Sequence, residues 1–436
     1  MIKKAMIFFI LLIVLGVVLA AKLSWAEGYS QEKIGRYLKS QQNARTGLVN
    51  SFSNTADLRL LNQASIYDQA LAVMAFLLNR DEASAARILD FFNTHWSEEG
   101  FSNFYYTLNG ETGLETTIHL GPNAWIALAA LNYDAMTGKK RYAPLAKKIT
   151  LWMARLPYSA DGGIAMGPRE DWGANWREVF SAENNIDALM VFRQMARQTS
   201  DESEQRLYCQ RARWIAEFLK KKIFSRKPRI PVGPDSEVVA SDVFAFALLA
   251  FEPRELEDAF AFAPEEMFRF LDEQFLVETD GIFGYDFTDL SSKKTFARRP
   301  MISLEWSAMI ALAYVKMSDH EAKLFARFGD PASEKKSRDY QERAAEILGE
   351  LDKKAMASGK NQLMYPYATK AWEQVFPFAP WWRTPQRGES GRLAGSLAGT
   401  CWRVFAEKKF NPFEVKPKSA DPSAPIAGPR RDPCKE

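Results

Sequence analysis

Acidic residues stand near the openings of several apolar segments in this 436-residue chain. Asp68, Asp242 and Glu305 each lie inside an otherwise apolar stretch, and Glu183 opens another, with Asp187 one helical turn later. Hydrolysis of a glycosidic bond needs two carboxyl groups, one protonated to assist departure and one ionised to activate water or attack. Burial raises the pKa of a carboxyl group toward that of a usable acid. We therefore predict that Glu183, Asp68 and Glu305 are catalytic, with Glu183 as the strongest acid candidate.

Each acid also has a structural interpretation at the first turn of a helix. Ser181 can cap a helix so that Glu183 serves only its first turn and its dipole. The same interpretation is favoured for Asp242. The neighbouring Asn184 and Asn185 favour a function at Glu183, because asparagine is a poor helix former and has no capping task so deep in a helix. The predicted substrate contacts around the acids are Asn123, Asn184, Asp187, Asp242 and Trp176.

The segment Trp381-Trp382-Arg383 is the densest aromatic cluster outside the predicted helices, and prolines precede it. Flat rings stack on the apolar faces of sugars, and an arginine binds hydroxyl or carboxylate groups in a planar fork. A packed plug under a ring of helices is the alternative. Aromatic side chains are enriched at ligand sites, so we predict that Trp381, Trp382 and Arg383 form a wall of the substrate site.

Apolar spacing at i, i+3, i+4 and i+7 predicts that helices position these residues. One unit recurs: an apolar helix with a polar opening, a short turn, and an amphipathic charged helix. Such repeats decide the architecture, and helices that are apolar nearly all round belong inside a ring of amphipathic ones. The predicted fold class is all-α, an (α/α)6 toroid whose polar openings and long loops share one rim. Its hairpins pair 67–78 with 83–96, 123–137 with 145–156, 183–198 with 204–223, 241–251 with 264–275, 303–317 with 333–357, and 391–406 with 31–41.

The chain resembles the six-hairpin glycosidase superfamily over most of residues 30–408. The resemblance rests on the six hairpins, on the turn at 137–142 with its Ala-rich helix, and on Asp161-Gly162-Gly163 leading toward the Glu183 opening. It implies an (α/α)6 toroid. Because the same toroid also hosts epimerases, polysaccharide lyases and proteins without known activity, no catalytic residue is carried over from it.

Three regions are predicted along the chain: a signal peptide over 1–26, the toroid over 27–408, and a Pro-rich flexible tail over 409–436. Basic Lys3 and Lys4, an apolar run and the small-residue site ending at Ala26 occur in the order of a secretory signal. An uncleaved membrane anchor is the alternative. We expect a periplasmic or secreted protein. Cleavage would lower the formal charge from +3 to zero, which indicates no nucleic-acid partner.

Cysteine and histidine are scarce and scattered, so neither a metal nor a cofactor is expected. Cys401 can pair with Cys434 in an exported chain. The expected function is glycoside hydrolysis of an oligo- or polysaccharide. The alternatives are a sugar epimerase or a polysaccharide lyase with a tyrosine base such as Tyr105 or Tyr285, and a noncatalytic glycan-binding or assembly protein.

Overall fold

The structure is a computed structural model that describes residues 31–291, 298–375, 382–416 and 433–434. The predicted signal peptide and Trp381 lie outside the described residues. Among those that are described, no helix has the length and apolar character needed to cross a membrane.

Helices form the framework, and they alternate between two kinds. Those of the first kind are buried nearly all round, and every residue of the helix Ser241–Ala250 is buried. Those of the second kind are amphipathic, because charged residues cover the face away from the core. The helices are α1 (residues 31–41), α2 (Ile66–Leu78), α3 (Glu82–Thr94), α4 (Leu120–Thr137), α5 (Ala143–Met153), α6 (Ala182–Gln198), α7 (Glu202–Phe218), α8 (Ser241–Ala250), α9 (Pro253–Phe260), α10 (Pro264–Gln274), α11 (Leu304–Phe328), α12 (Pro331–Asp352) and α13 (Leu397–Glu407).

The buried helices close into an inner ring. Each packs on the next in the order α2, α4, α6, α8, α11 and α13, and α13 packs again on α2. Outside this ring, α1 is tied to the first hairpin by the ion pair between Lys39 and Asp81. Chain ends therefore complete the sixth hairpin, and the predicted (α/α)6 toroid is confirmed.

The fourth hairpin differs from the prediction by one extra helix. The short α9 lies between α8 and α10, and Pro253 occupies its first position, where a proline costs no hydrogen bond. In the third hairpin, α7 continues as a π-turn over Leu219–Ile223 and a 3-10 turn over Phe224–Arg226.

Short strands occur in the loops at the rim where the inner helices begin. They are β1 (Phe52–Ser53), β2 (Gln63–Ser65), β3 (Phe104–Tyr106), β4 (Glu170–Asp171), β5 (Ala174–Asn175), β6 (Leu276–Thr279), β7 (Ile282–Tyr285), β8 (Met356–Gly359), β9 (Gln362–Pro366) and β10 (Gly395–Ser396). All pairs are antiparallel, in the sheet β1-β10-β9-β8 and the pairs β2-β3, β4-β5 and β6-β7. Asp280 and Gly281 turn between β6 and β7 with φ of 57° and 77°, a conformation typical of two-residue hairpins.

The segment after α13 fills the opposite end of the ring, and we call Asn411, Pro412 and Phe413 the plug. Asn411 donates to the Leu249 carbonyl at 2.8 Å. Asn132 of α4 donates to the Pro412 carbonyl at 2.9 Å, and Gln194 of α6 donates to that of Phe413 at 2.8 Å. The Phe413 ring is fully buried. The packed domain therefore extends beyond residue 408, where the predicted tail begins.

The predicted pairing of Cys401 with Cys434 is wrong. Cys434 forms a disulfide with Cys209 on the outer helix α7, whereas Cys401 is a buried free thiol on the inner helix α13. Sequence spacing does not report which helix face a cysteine occupies, and the inward face of α13 places Cys401 out of reach of the tail.

Candidate active site

Equivalent positions of the inner helices carry the acidic residues. Glu183, Asp242 and Glu305 are the second residues of α6, α8 and α11, and Tyr67 is the second residue of α2, directly before Asp68. Because the inner helices share one direction around the ring, these side chains meet at one rim, which we call the mouth.

Five buried carboxyl groups interact at the mouth. Burial is the largest cause of a raised pKa at each, to about 7 for Asp68 and Glu183 and about 8 for Glu305. The pKa values of Asp187 and Asp242 lie well above their ordinary range, again through burial first and then through the charge of Glu183. Among the described residues, no lysine, arginine or histidine is a main cause of these five shifts. The cluster therefore shares several protons at neutral pH.

Glu183 and Glu305 lie in first turns that serines cap, which is the arrangement that the structural interpretation of Glu183 expects. The Ser181 hydroxyl accepts the Asn184 N–H at 3.2 Å, and the Ser303 hydroxyl accepts the Trp306 N–H at 3.2 Å. Serines thus cap both helices. Glu183 lies deep among protein atoms, yet its side chain keeps partial solvent contact, as expected of a group that can meet a ligand.

Asp242 differs from these two glutamates. Its Oδ1 accepts the N–H of Val243 at 2.8 Å, within its own helix opening. This contact supports the first-turn interpretation made from the sequence, although the charge of Asp242 still reaches Asp187.

Tyr67 was missed by the sequence analysis as a site residue. Its hydroxyl donates to Oε1 of Glu305 at 2.9 Å and accepts the indole N–H of Trp402 at 2.7 Å. Indole nitrogen only donates, which leaves the hydroxyl hydrogen available for the bond to Glu305. This donation favours the ionised form of Glu305 and opposes the effect of burial on its pKa. The sequence signal that could have identified Tyr67 was its position as the second residue of an inner helix, which is also the position of Glu183.

Asp187 lies one turn below Glu183 and is fully buried. Its two carboxyl oxygens and the indole N–H of Trp125 lack hydrogen-bond partners among the described residues. Trp125 is near enough to favour the ionised form of Asp187 without meeting hydrogen-bond geometry. Burial first and then the Glu183 charge favour the neutral form of Asp187, which does not contact solvent.

The predicted substrate contacts at Asn123 and Asn184 are replaced by structural roles. Asn123 is fully buried, accepts the Phe101 N–H at 2.9 Å and donates to the carbonyl oxygens of Phe101 and His119. Asn184 accepts the Gly121 N–H at 2.9 Å and so joins α6 to the start of α4. Both amides hold the backbone of neighbouring elements in place.

Asn123 belongs to a wider pattern at the fourth residue of the inner helices. There, polar side chains accept a backbone N–H of a rim segment at 2.8 to 3.0 Å, and we call them struts. The struts are Gln69 to Val49, Asn123 to Phe101, Asn185 to Ile164, Ser307 to Tyr285, and Thr400 to Tyr365. The equivalent residue of α8 is Phe244.

Aromatic side chains line the mouth beside Glu305. Trp382 donates its indole N–H to the Tyr367 hydroxyl at 3.2 Å, and Tyr367 stacks on Phe287, which also contacts Trp306. The charges of Glu305, Asp68 and Asp242 act on Tyr367. Trp382 is therefore placed next to the acids, as the sequence analysis expected of a wall.

Arg383 and Trp176 lie farther from the acids. The Arg383 guanidinium faces Trp372, with 5.8 Å to the ring centroid. Trp176 contacts His119 edge to face at 4.5 Å and donates to the Asp171 carbonyl at 3.1 Å. The described residues contain no group of three or more His, Cys, Asp or Glu arranged to hold a metal ion.

No protein-family model and no curated protein matches the sequence. Solved structures match over nearly their whole length. A glycosidase variant in complex with glucose is 13% identical with a TM-score of 0.57, and the match covers 91% of this chain and 99% of that chain. A D-mannose isomerase is 12% identical with a TM-score of 0.58, over 87% and 97%. The cellobiose 2-epimerase from Bacillus thermoamylovorans B4167 is 11% identical with a TM-score of 0.57, over 88% and 99%.

At these identities the similarity concerns architecture. The chain has the six-hairpin toroid that glycosidases and sugar epimerases share.

Proposed function

We propose that this protein is a carbohydrate-active enzyme that hydrolyses a glycosidic bond of an oligo- or polysaccharide. The observation that carries the proposal is the meeting of Glu183 and Glu305 at equivalent positions of two inner helices, both with raised pKa values and without a neutralising cation among the described residues. Such a pair can hold one proton for a leaving group and one charge for a nucleophile.

The hydrogen bonds of the two glutamates, and not the order of their pKa values, suggest their roles. Glu183 receives no hydrogen bond from the described residues and keeps solvent contact, so its neutral form can donate a proton to the glycosidic oxygen as the bond to the anomeric carbon breaks. Tyr67 gives Glu305 a donor that favours its carboxylate. That carboxylate can accept a proton from an attacking water or form the new bond itself. Asp68 adds negative charge next to Glu305 and assists a positively charged transition state.

The aromatic residues supply a binding surface. Trp306, Tyr367 and Trp382 are partly exposed beside the acids, and aromatic rings stack on the apolar faces of sugars. We infer that this wall orients the sugar whose bond is cleaved.

Turnover of a glycan panel by the purified protein tests the proposal. Hydrolysis adds one water to the mass of the products, whereas isomerisation leaves the mass unchanged, and a noncatalytic binder does neither. Glu183→Gln and Glu305→Gln should each lower kcat by about two orders of magnitude or more with folding intact.

Glu82→Gln is the matched control. Glu82 also accepts a tyrosine hydroxyl, that of Tyr133 at 2.9 Å, but it opens the outer helix α3. Wild-type turnover in either mouth variant would contradict the assignment.

The isomerase alternative has less geometric support. Tyr105 lines a separate cavity of about 660 Å³ that contains none of the five acids, and burial raises its pKa. Tyr285 is fully buried and donates to Asp272 at 2.6 Å. His119 interacts with Glu115 and Asp171 rather than with the acids of the mouth, and burial lowers its pKa to about 4.

We also propose export with cleavage after Ala26. The disulfide between Cys209 and Cys434 supports an oxidising compartment. Amino-terminal sequencing of the mature protein should begin near Glu27, and recovery of Met1 in the membrane fraction would indicate an anchor instead.

A further inference from the structure

Two guanidinium groups from different rim loops converge on one exposed tryptophan. The Trp372 side chain is 44% exposed. Arg59 and Arg383 lie over its ring at 5.7 and 5.8 Å from the centroid. We call these three residues the rim cluster. A cation over an indole face is attracted by the ring quadrupole, which holds the guanidinium flat and leaves its edge free to donate.

The rim cluster is connected to the mouth through one hairpin. The Trp372 N–H donates to the Thr384 carbonyl at 3.0 Å, and the Thr384 N–H donates back to Glu373 at 2.8 Å. Two residues before Thr384, Trp382 contacts Tyr367 beside the acids. Trp382 of these paired segments therefore lies near the acids, and Trp372 and Arg383 of the same segments belong to the rim cluster.

Charge is unbalanced at this edge. Arg59 pairs with the buried carboxylate of Asp57, which accepts hydrogen bonds from its Nε at 2.9 Å and its Nη2 at 2.6 Å. Nη1 of Arg59 is left as a further donor. Arg383 donates to the Trp372 carbonyl at 3.5 Å and has no carboxylate partner among the described residues. The nearest acid of the hairpin, Glu373, is paired with Arg299.

Trp372 has a left-handed backbone conformation, which it shares with the exposed Trp172 between β4 and β5. Trp372 has φ of 60°, which is an outlier for a bulky side chain and costs of the order of 1 kcal/mol or more. Another exposed stack exists on α7, where Arg211 bridges Trp214 and Tyr158 at 4.5 and 4.7 Å. There a single cation joins Trp214 of α7 to Tyr158 of the loop after α5, so that stack serves packing and provides a matched control.

We propose that the rim cluster binds a carboxylate-bearing sugar unit, which makes the substrate an acidic glycan. This inference rests on the proposed hydrolase function. The planar guanidinium fork matches a carboxylate, and the indole offers an apolar face to the same sugar. Because five carboxyl groups line the mouth, the charged unit occupies the rim rather than the position of the cleaved bond.

Binding to the full chain carrying Glu183→Gln tests the proposal without turnover. The probes are uronate oligosaccharides, namely oligomers of polygalacturonate, alginate and hyaluronan, each paired with its carboxyl-reduced form of the same linkage and length. At least one uronate should bind about tenfold more tightly than its reduced partner, less so at high salt. Arg383→Gln and Arg59→Gln should each remove that preference, whereas Arg211→Gln should keep it.

Equal affinity for charged and reduced probes across the panel would overturn the inference. So would a preference that survives both arginine substitutions. Arg59→Gln leaves the buried Asp57 carboxylate without its ion-pair partner, which destabilises the fold. If this variant unfolds, Arg383→Gln is the decisive variant. If neutral glycans are cleaved by the wild type and not by Glu305→Gln, the hydrolase proposal stands even when this one fails.

Discussion

At the residue scale, Tyr67 links Trp402 to Glu305 through its hydroxyl group. Trp402 donates its indole hydrogen to the Tyr67 oxygen, and Tyr67 donates its own to Oε1 of Glu305. Burial raises the pKa of Tyr67 well above its ordinary value, which keeps this proton in place. Glu305 is thereby oriented, and its charge is favoured against the burial that opposes it.

Replacing Tyr67 by Phe should raise the pKa of Glu305, because the donor that favours its ionised form is lost. One limb of the pH profile of kcat/KM reports the pKa of Glu305. This limb should move to higher pH by about half to one unit. The decrease in kcat should be larger than the change in KM. The other titratable groups that interact with this cluster are unchanged in the Tyr67→Phe variant. They are Asp68, Glu183, Asp242, Tyr367 and Cys401.

Tyr133→Phe is the control for Tyr67→Phe, since it removes a hydroxyl that donates to Glu82 on the outer ring. A purely structural role for Tyr67 would lower activity at every pH without moving a limb, and that outcome would contradict the expected role.

Asp187→Asn should stabilise the protein at alkaline pH. Asp187 has a folded-state pKa well above its unfolded value of about 3.9, so its contribution to stability is present below about pH 4 and is lost as the pH rises toward the folded pKa. Asparagine stays neutral throughout. The melting temperature of the variant should therefore exceed that of the wild type at pH 8 and not at pH 4, with exposed Asp258→Asn as the control.

The roles of individual polar residues were only partly predictable from the sequence. Glu183, Asp68 and Glu305 stood out because they interrupt apolar stretches, and the structure brings them together. Asn184 stood out as a poor helix former and Asn123 as part of a polar helix opening, yet both bind backbone. A buried carboxyl and a buried amide interrupt an apolar stretch in the same way, and only the direction of the side chain separates a strut from a residue of the mouth.

At the element scale, the struts explain how long loops are held above a ring of helices. Each strut satisfies a backbone group that would otherwise be buried without a partner, which costs about 1–3 kcal/mol. Sequence periodicity located the inner helices and their order. It did not predict α9, because the sequence of this short amphipathic helix resembles that of a polar loop.

Asn123→Ala should lower the free energy of unfolding by about 1–3 kcal/mol, because it leaves the buried N–H and C=O of Phe101 unpaired. Chemical denaturation measures the change, and exposed Asn109→Ala is the control. If Asn123 contacted the substrate instead, the substitution would raise KM and leave the free energy of unfolding unchanged.

At the scale of the whole molecule, the ring is closed by both chain ends and sealed at one end by the plug. Phe413 packs on Trp125 and Phe246, whose rings also contact Trp402. The plug thus supports the indole that donates to Tyr67. Composition placed the domain boundary at residue 408, because a proline- and lysine-rich segment resembles a tail even when its first residues are buried.

Two truncations separate the plug from the disulfide. Removing residues 409–436 eliminates the Phe413 ring and the plug's hydrogen bonds to α4, α6 and α8, and the buried ring alone is worth about 3–5 kcal/mol. Removing residues 417–436 keeps the plug and eliminates the bond of Cys434 to Cys209. Thermal unfolding should therefore show a large loss for the first truncation and a smaller one for the second.

The second truncation should match the full chain once a reductant is added, because both then lack the disulfide. The first should remain less stable under either condition, since its defect is lost packing under Trp125 and not a lost crosslink. Equal stability of the two truncations would place the domain boundary at residue 408 after all, and the support that the plug gives to Trp402, Tyr67 and the mouth would then be absent.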